Sequence, residues 1–247
     1  MAPTLTTKRG SVSESKRGSI SGSQRGSVSE PNVASSVTPE TLARIRDADL
    51  FDGTGEKHKF GELTRGKRVV LVFIRHFWCA NCKEYCRLLG EQIPSSSLPE
   101  GTSVVIIGCG NSKPVKWYAD SLSPNAATPY PYSIYAHPSL SLHKDLGFTS
   151  SLAASKAGEG KAYEAALGGM VKRTINGLKD IHLGDLMDVG PKAQNGGEMI
   201  LESDGSCSFL YRMRHTADHT ELEDLAKYIG ATYVPGQKVE EAMQCNA

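Results

Sequence analysis

From about residue 38 onward the chain alternates short apolar runs with polar, turn-rich stretches, and the runs come in two periods. Val69 to Ile74 is continuous, apolar and rich in β-branched residues, the pattern of a strand covered on both faces. Val104 to Gly108 and Tyr132 to Ala136 repeat that pattern as two further strands. Between and after them, Cys82 to Leu89, Pro114 to Ser121 and Ser139 to Leu146 place apolar residues at helical spacing, the last closed by Gly147. Met199 to Leu201 and Cys207 to Tyr211 flank Asp204-Gly205, a hairpin signal. Glu221 to Ile229 predicts a closing amphipathic helix. Thr38-Pro39-Glu40 predicts a helix start, with Thr as cap and Pro at the first helical position. Asp52-Gly53 and Thr54-Gly55 mark turns, and Lys161 to Ile181 reads as helical with glycine interruptions. The order β-α-β-α-β, helical insert, hairpin, helix predicts an α/β domain, residues 37–247, with a parallel core and an antiparallel edge.

Residues 1–36 break the pattern. They are rich in Ser, Gly and charge and hold too little apolar surface to bury a core, so a disordered tail is expected. An eight-residue spacing repeats Arg-Gly-Ser-(Val/Ile) three times, at Ser11, Ser19 and Ser27. Three copies are too short for a solenoid. Arg two residues before Ser resembles the substrates of basophilic kinases, and phosphate there would reverse the local charge. A kinase is therefore an expected partner.

The chemistry concentrates where the first strand meets its helix. The run ends in Trp78-Cys79-Ala80-Asn81-Cys82, and the helical pattern starts at once. A strand feeding a C-x-x-C that opens a helix is the thioredoxin type of dithiol arrangement. Free N–H groups and partial positive charge at a helix N-terminus ease ionisation of a thiol, and the thiolate is the reactive form. Cys79 is the expected nucleophile and Cys82, one turn deeper, the resolving thiol. Cys86 continues the same helix face. Arg75 and His76 are candidates to add positive charge, with only one of them required to face the site by strand alternation. Trp78 is a candidate shield for the thiols. A structural zinc site usually uses two separated pairs of ligands, and no second C-x-x-C exists, so no metal is expected. Cys109, Cys207 and Cys245 are isolated, and His215, Asp218 and His219 could serve a site but read first as a capping cluster before the last helix.

Composition narrows the setting. A net charge of +1 over 247 residues gives no field for nucleic acid or membrane binding. Neither a signal peptide nor a membrane-length apolar stretch is read, which with six sparse cysteines predicts a cytoplasmic, reducing environment. No organic cofactor is expected.

Four stretches carry a family resemblance: Val72 to Tyr85, Tyr132 to Phe148, Gln194 to Leu201 and Tyr211 to His219. In these the chain resembles the AhpC/TSA-type, peroxiredoxin-like 2 family. The resemblance implies a thioredoxin-like, peroxiredoxin-like mixed sheet flanked by helices. It also implies an antioxidant or oxidoreductase role, with a cellular thiol as reductant and a disulfide or peroxide as substrate. Several helpers familiar from the wider superfamily are replaced. Val72 and His76 stand where peroxiredoxins place Pro and Thr or Ser, and Phe73 where many thioredoxins place a buried acid. Gly196-Gly197 stands where thioredoxins have a cis-Pro, and His137 where the family has Asp. These replacements keep a second class open, a binding or regulatory module without turnover.

Overall fold

The computed structural model divides into two units, residues 1–30 and 31–247. It describes residue 1 and residues 37–123, 127–156, 160–166 and 187–236. Ser11, Ser19, Ser27, Cys245 and most of the Lys161 to Ile181 stretch lie outside the described residues.

The strands are β1 (Asp49–Phe51), β2 (Lys57–Lys59), β3 (Arg68–Ile74), β4 (Thr102–Cys109), β5 (Ser133–His137), β6 (Gly197–Leu201) and β7 (Cys207–Arg212). The helices are α1 (Pro39–Ile45), α2 (Phe60–Thr64), α3 (Ala80–Gln92), α4 (Val115–Leu122), α5 (Ser141–Asp145), α6 (Ala162–Ala166) and α7 (Leu222–Ile229). The strands form one sheet in the order β2-β1-β5-β4-β3-β6-β7. β3, β4 and β5 run parallel, while β6 runs antiparallel to β3 and pairs with β7. This is the thioredoxin-like core that the alternating elements predict.

Strand alternation divides β3 between two apolar layers. Val70, Val72 and Ile74 face the layer packed by α3, α4 and α7, and Val69, Leu71 and Phe73 face the one packed by α1 and α5. Both faces are covered, which is why the run reads as continuously apolar rather than alternating. α3 buries Cys82, Tyr85, Cys86 and Leu89, a stripe at helical spacing. Arg68 fixes the last helix to the sheet: it pairs with Glu202 at 2.9 Å and donates to the carbonyls of Tyr228 and Ile229 at the end of α7.

The N-terminal hairpin β1–β2 is not visible in the sequence pattern. Lys57-His58-Lys59 carries no apolar residue, and only turn residues mark the place. The hairpin extends the sheet through Phe51 paired with Ala136 of β5, so the far edge is antiparallel as well. Thr38 caps α1 as expected, accepting from the Thr41 N–H at 3.2 Å.

Candidate functional site

The C-terminal end of β3 is central in the sheet, and the chain leaves it through Arg75 to Trp78 before α3 begins. Cys79 is the N-cap of α3. Its Sγ accepts the Cys82 backbone N–H at 3.3 Å and faces the Arg75 Nη1 at 3.5 Å. Arg75 is itself buried and anchored by a 2.6 Å hydrogen bond from Nη2 to the Lys192 carbonyl. Burial opposes ionisation of Cys79. It is outweighed by the Cys82 thiol, by positive charge from His76 and Arg75, and by the helix N–H, so the thiol lies well below its usual value. Burial and the neighbouring Cys79 push Cys82 the other way, well above it. The two cysteines are thus a low and a high thiol side by side.

Both Arg75 and His76 are buried at the site, although alternation requires only one. The strand ends at Ile74, so the alternation no longer governs them. Burial lowers His76, whose ring nitrogen Nδ1 takes the Trp78 N–H at 3.3 Å. Arg75 is therefore the steadier of the two positive charges beside Cys79. Trp78 is partly buried and lies under the Lys192 ammonium, 5.5 Å from the ring centre.

Cys86 is fully buried one turn beyond Cys82, and burial raises its thiol strongly. Its carbonyl holds the Tyr130 hydroxyl at 2.6 Å, so its place is in the core. Cys109, at the end of β4, donates to the Arg75 carbonyl and is pushed up to about 12, chiefly by burial. Cys79, Cys82, Cys86, Cys109 and Cys207 are all free thiols.

The capping role expected of His215, Asp218 and His219 is overturned. Glu221 precedes α7, and no side chain caps it. Asp218 instead binds the Arg214 backbone N–H and guanidinium at 2.8 Å. His219 is wholly buried: Nδ1 lies 2.5 Å from Glu198 Oε1, and Nε2 lies 3.5 Å from Cys82 Sγ. Glu198 is equally buried in β6. For Glu198 the sequence signal is an acid inside an otherwise apolar strand, and for His219 it is the polar cluster after the hairpin.

At the place of a cis-proline, Gly196-Gly197 brings β6 against the end of β3. No cis peptide bond occurs among the described residues. His137 closes β5 structurally: Nε2 accepts the Leu142 N–H at 3.1 Å, and Nδ1 donates to the Asp49 carbonyl at 2.8 Å. Asp52, Glu56 and His58 bring potential metal-ligand atoms within 4.8 Å of one another at the β1–β2 turn. The Asp52 carboxylate there already takes the Thr54 and Glu56 N–H groups. A pocket of about 590 Å³ lies at the opposite end of the sheet, lined by α1, α2, Leu201 and Asp204. No helix among the described residues is long and apolar enough to cross a membrane.

Residues 88–215 match the family model described as AhpC/TSA antioxidant enzyme. That match begins inside α3 and ends before His219, so it includes neither Cys79 nor Cys82. Peroxiredoxin-like 2C of Mus musculus is 29% identical over 205 residues, covering 81% of this chain and 86% of its own length. Prostamide/prostaglandin F synthase of Danio rerio is 26% identical over 201 residues, covering 78% and 88%. Among solved structures, a cysteine-to-serine mutant of peroxiredoxin 6 of Arenicola marina aligns with a TM-score of 0.47 at 13% identity, covering 74% of this chain and 69% of that one. The family match spans just over half of the chain, and the protein belongs to the AhpC/TSA antioxidant enzyme family.

Proposed function

We propose that the protein is a thiol-dependent oxidoreductase in which Cys79 attacks and Cys82 resolves. The observation that carries this reading is the Cys79 sulfur at the N-cap of α3, held by the Cys82 N–H and facing the buried Arg75 guanidinium. In the first step the Cys79 thiolate attacks one sulfur of a disulfide, expelling the other as a thiolate. With a peroxide it attacks one oxygen, releasing an alcohol or water and leaving a sulfenic acid. Cys82 then attacks the Cys79 sulfur, forms the intramolecular disulfide, and expels the second thiolate or water. A cellular thiol returns two electrons and restores both groups. Membership of an antioxidant enzyme family supports a redox role, and the free thiols fit a reducing compartment such as the cytoplasm.

The test is turnover of hydrogen peroxide and of an aromatic disulfide by wild type, Cys79→Ser and Cys82→Ser, with dithiothreitol as reductant. Wild type turns over at least one substrate, and Cys79→Ser falls to background. Cys82→Ser accumulates the sulfenic acid or mixed disulfide on Cys79, seen as a mass increase. A wild type inert toward both substrates, with Cys79 alkylating no faster than a free thiol, would sink the enzyme reading in favour of a binding module.

A further inference from the structure

Cys82 presents a difficulty that the reading above leaves open. Its thiol is wholly buried, and both burial and its neighbour Cys79 oppose ionisation, yet it must attack as a thiolate. The strand position where a buried acid could serve as base holds Phe73. One buried side chain, His219, reaches the Cys82 sulfur instead, and Glu198 and Thr220 stand behind it in a chain of hydrogen bonds. His219 Nε2 lies 3.5 Å from Sγ, and His219 Nδ1 lies 2.5 Å from Glu198 Oε1. The other carboxylate oxygen, Oε2, accepts the Thr220 N–H at 3.2 Å and the Thr220 hydroxyl at 2.7 Å.

Glu198 accepts from Thr220 on Oε2, and its Oε1 is the acceptor that a proton on His219 Nδ1 would meet. In that tautomer Nε2 keeps its lone pair toward Cys82. The ring cannot turn away, because it stacks on Tyr85 with centroids 4.2 Å apart and 10° between planes. Its own backbone N–H is bound by the Tyr163 hydroxyl at 3.2 Å. The segment entering α7 thus meets the Cys82 sulfur of α3, with β6 supplying the acid behind the ring.

We propose that His219 is a catalytic base and acid for Cys82, and that Glu198 is the positioning residue that fixes its tautomer; this rests on the Cys79–Cys82 reading. When Cys82 attacks, its S–H bond breaks and the proton moves to Nε2. The sulfur pair forms the new S–S bond to Cys79, and the bond from Cys79 to its leaving group breaks. The leaving thiolate takes its proton from water. When an external dithiol later attacks the Cys79 sulfur, Cys82 departs as thiolate and recovers the proton from Nε2. Glu198 faces the imidazolium between these steps and stays ionised. The ionisable groups around His219 are Glu198 from β6, Cys82 and Tyr85 from α3, and Tyr163 from α6. Adjacent Asp218 is engaged by Arg214 and Lys161.

The experiment separates the two displacements. In the full chain carrying Cys207→Ser and Cys245→Ser, dithionitrobenzoate releases one coloured thiolate when Cys79 reacts and a second when Cys82 displaces it. His219→Gln is expected to slow the second release about 10²-fold and leave the first unchanged. Glu198→Gln slows the same step by about tenfold or more. In His219→Gln the second step climbs about tenfold per pH unit, as ionisation of an unassisted thiol demands, whereas wild type climbs less steeply. A second step unchanged in both variants overturns the proposal. So does an equal slowing of both steps with the wild-type pH slope retained, the mark of a structural role. If neither variant folds, the wild-type slope decides: a full tenfold rise per pH unit up to the alkaline range overturns the relay. A wild type showing no first release overturns the Cys79 reading itself, and the relay with it.

Discussion

Arg75 sits one residue past the end of β3, and that position decides how its charge reaches Cys79. A residue inside the strand would point to one face only. Beyond the strand, its backbone N–H meets the Cys82 sulfur at 3.4 Å while its side chain folds back to Cys79 at 3.5 Å. The guanidinium cannot drift into solvent, because Lys192 holds its other nitrogen and the residue is 6% exposed. Charge of this kind is little screened by salt. Arg75→Met keeps the length and apolar stem but removes the charge. The variant should alkylate at Cys79 about tenfold more slowly at pH 7, with its rate profile moved to higher pH. Iodoacetamide kinetics across the neutral range check this. An unchanged profile would mean that the Cys82 thiol, His76 and the helix N-terminus ionise Cys79 without it. The sequence named Arg75 as a candidate but could not distinguish it from His76. The difference lies in the groups themselves: burial lowers the imidazole, whereas a guanidinium is a permanent charge.

At the scale of elements, the approach of β6 to β3 brings Glu198 to the end of the sheet where Cys79 and Cys82 lie. Glu198 pairs with Val72, and one residue further on Gly197 pairs with Phe73. A Cβ added at Gly196 would lie 1.8 Å from the Phe73 carbonyl oxygen, a contact with backbone that no rotamer change relieves. Gly196→Ala is therefore expected to destabilise the fold by about 3 kcal/mol, a fall in Tm of roughly 10 °C. Gly160→Ala is the control, since its added Cβ meets nothing nearer than Glu164 Oε2 at 3.5 Å. Calorimetry on the two variants checks the contrast, and equal Tm values would refute it. The strands and helices of the core were legible because each depends on local period: β-branched runs for β3 and β4, and the Asp204-Gly205 signal for β6–β7. The β1–β2 hairpin was not, because Lys57-His58-Lys59 gains its strand geometry from pairing with Asp49–Phe51 rather than from propensity. The His219–Cys82 contact joins residues 137 apart in sequence, and only the antiparallel insertion of β6 supplies the Glu198 between them.

Across the whole molecule, the second apolar layer contains two histidines that tie its parts together. His137 joins β5 to β1 through the Asp49 carbonyl and holds the start of α5 through the Leu142 N–H. His143 lies buried beside Phe73 and Phe148, edge-on to both, and stacks over His137. Burial lowers both rings, His143 to about 3, and a charged His137 further opposes protonation of His143. The unfolded chain binds these protons near pH 6.5 and the folded one only at lower pH, so the unfolded state holds more protons as pH falls. The stabilisation is complete above about pH 6.5 and is lost progressively below it, at up to about 1.4 kcal/mol per pH unit for each histidine that remains neutral in the fold. Asp52 and Asp218, held at about 2, contribute a separate loss that begins only near pH 4. Urea unfolding at pH 7 and pH 5 therefore avoids these two carboxylates and reads the buried histidines, His76 included, against a smaller opposing contribution from Glu221, which burial raises. Wild type is expected to be less stable at pH 5, and His143→Phe, which keeps an aromatic ring in the layer, to lose less between the same two values. Equal stability of the wild type at both pH values would show that neither ring is kept neutral by the fold.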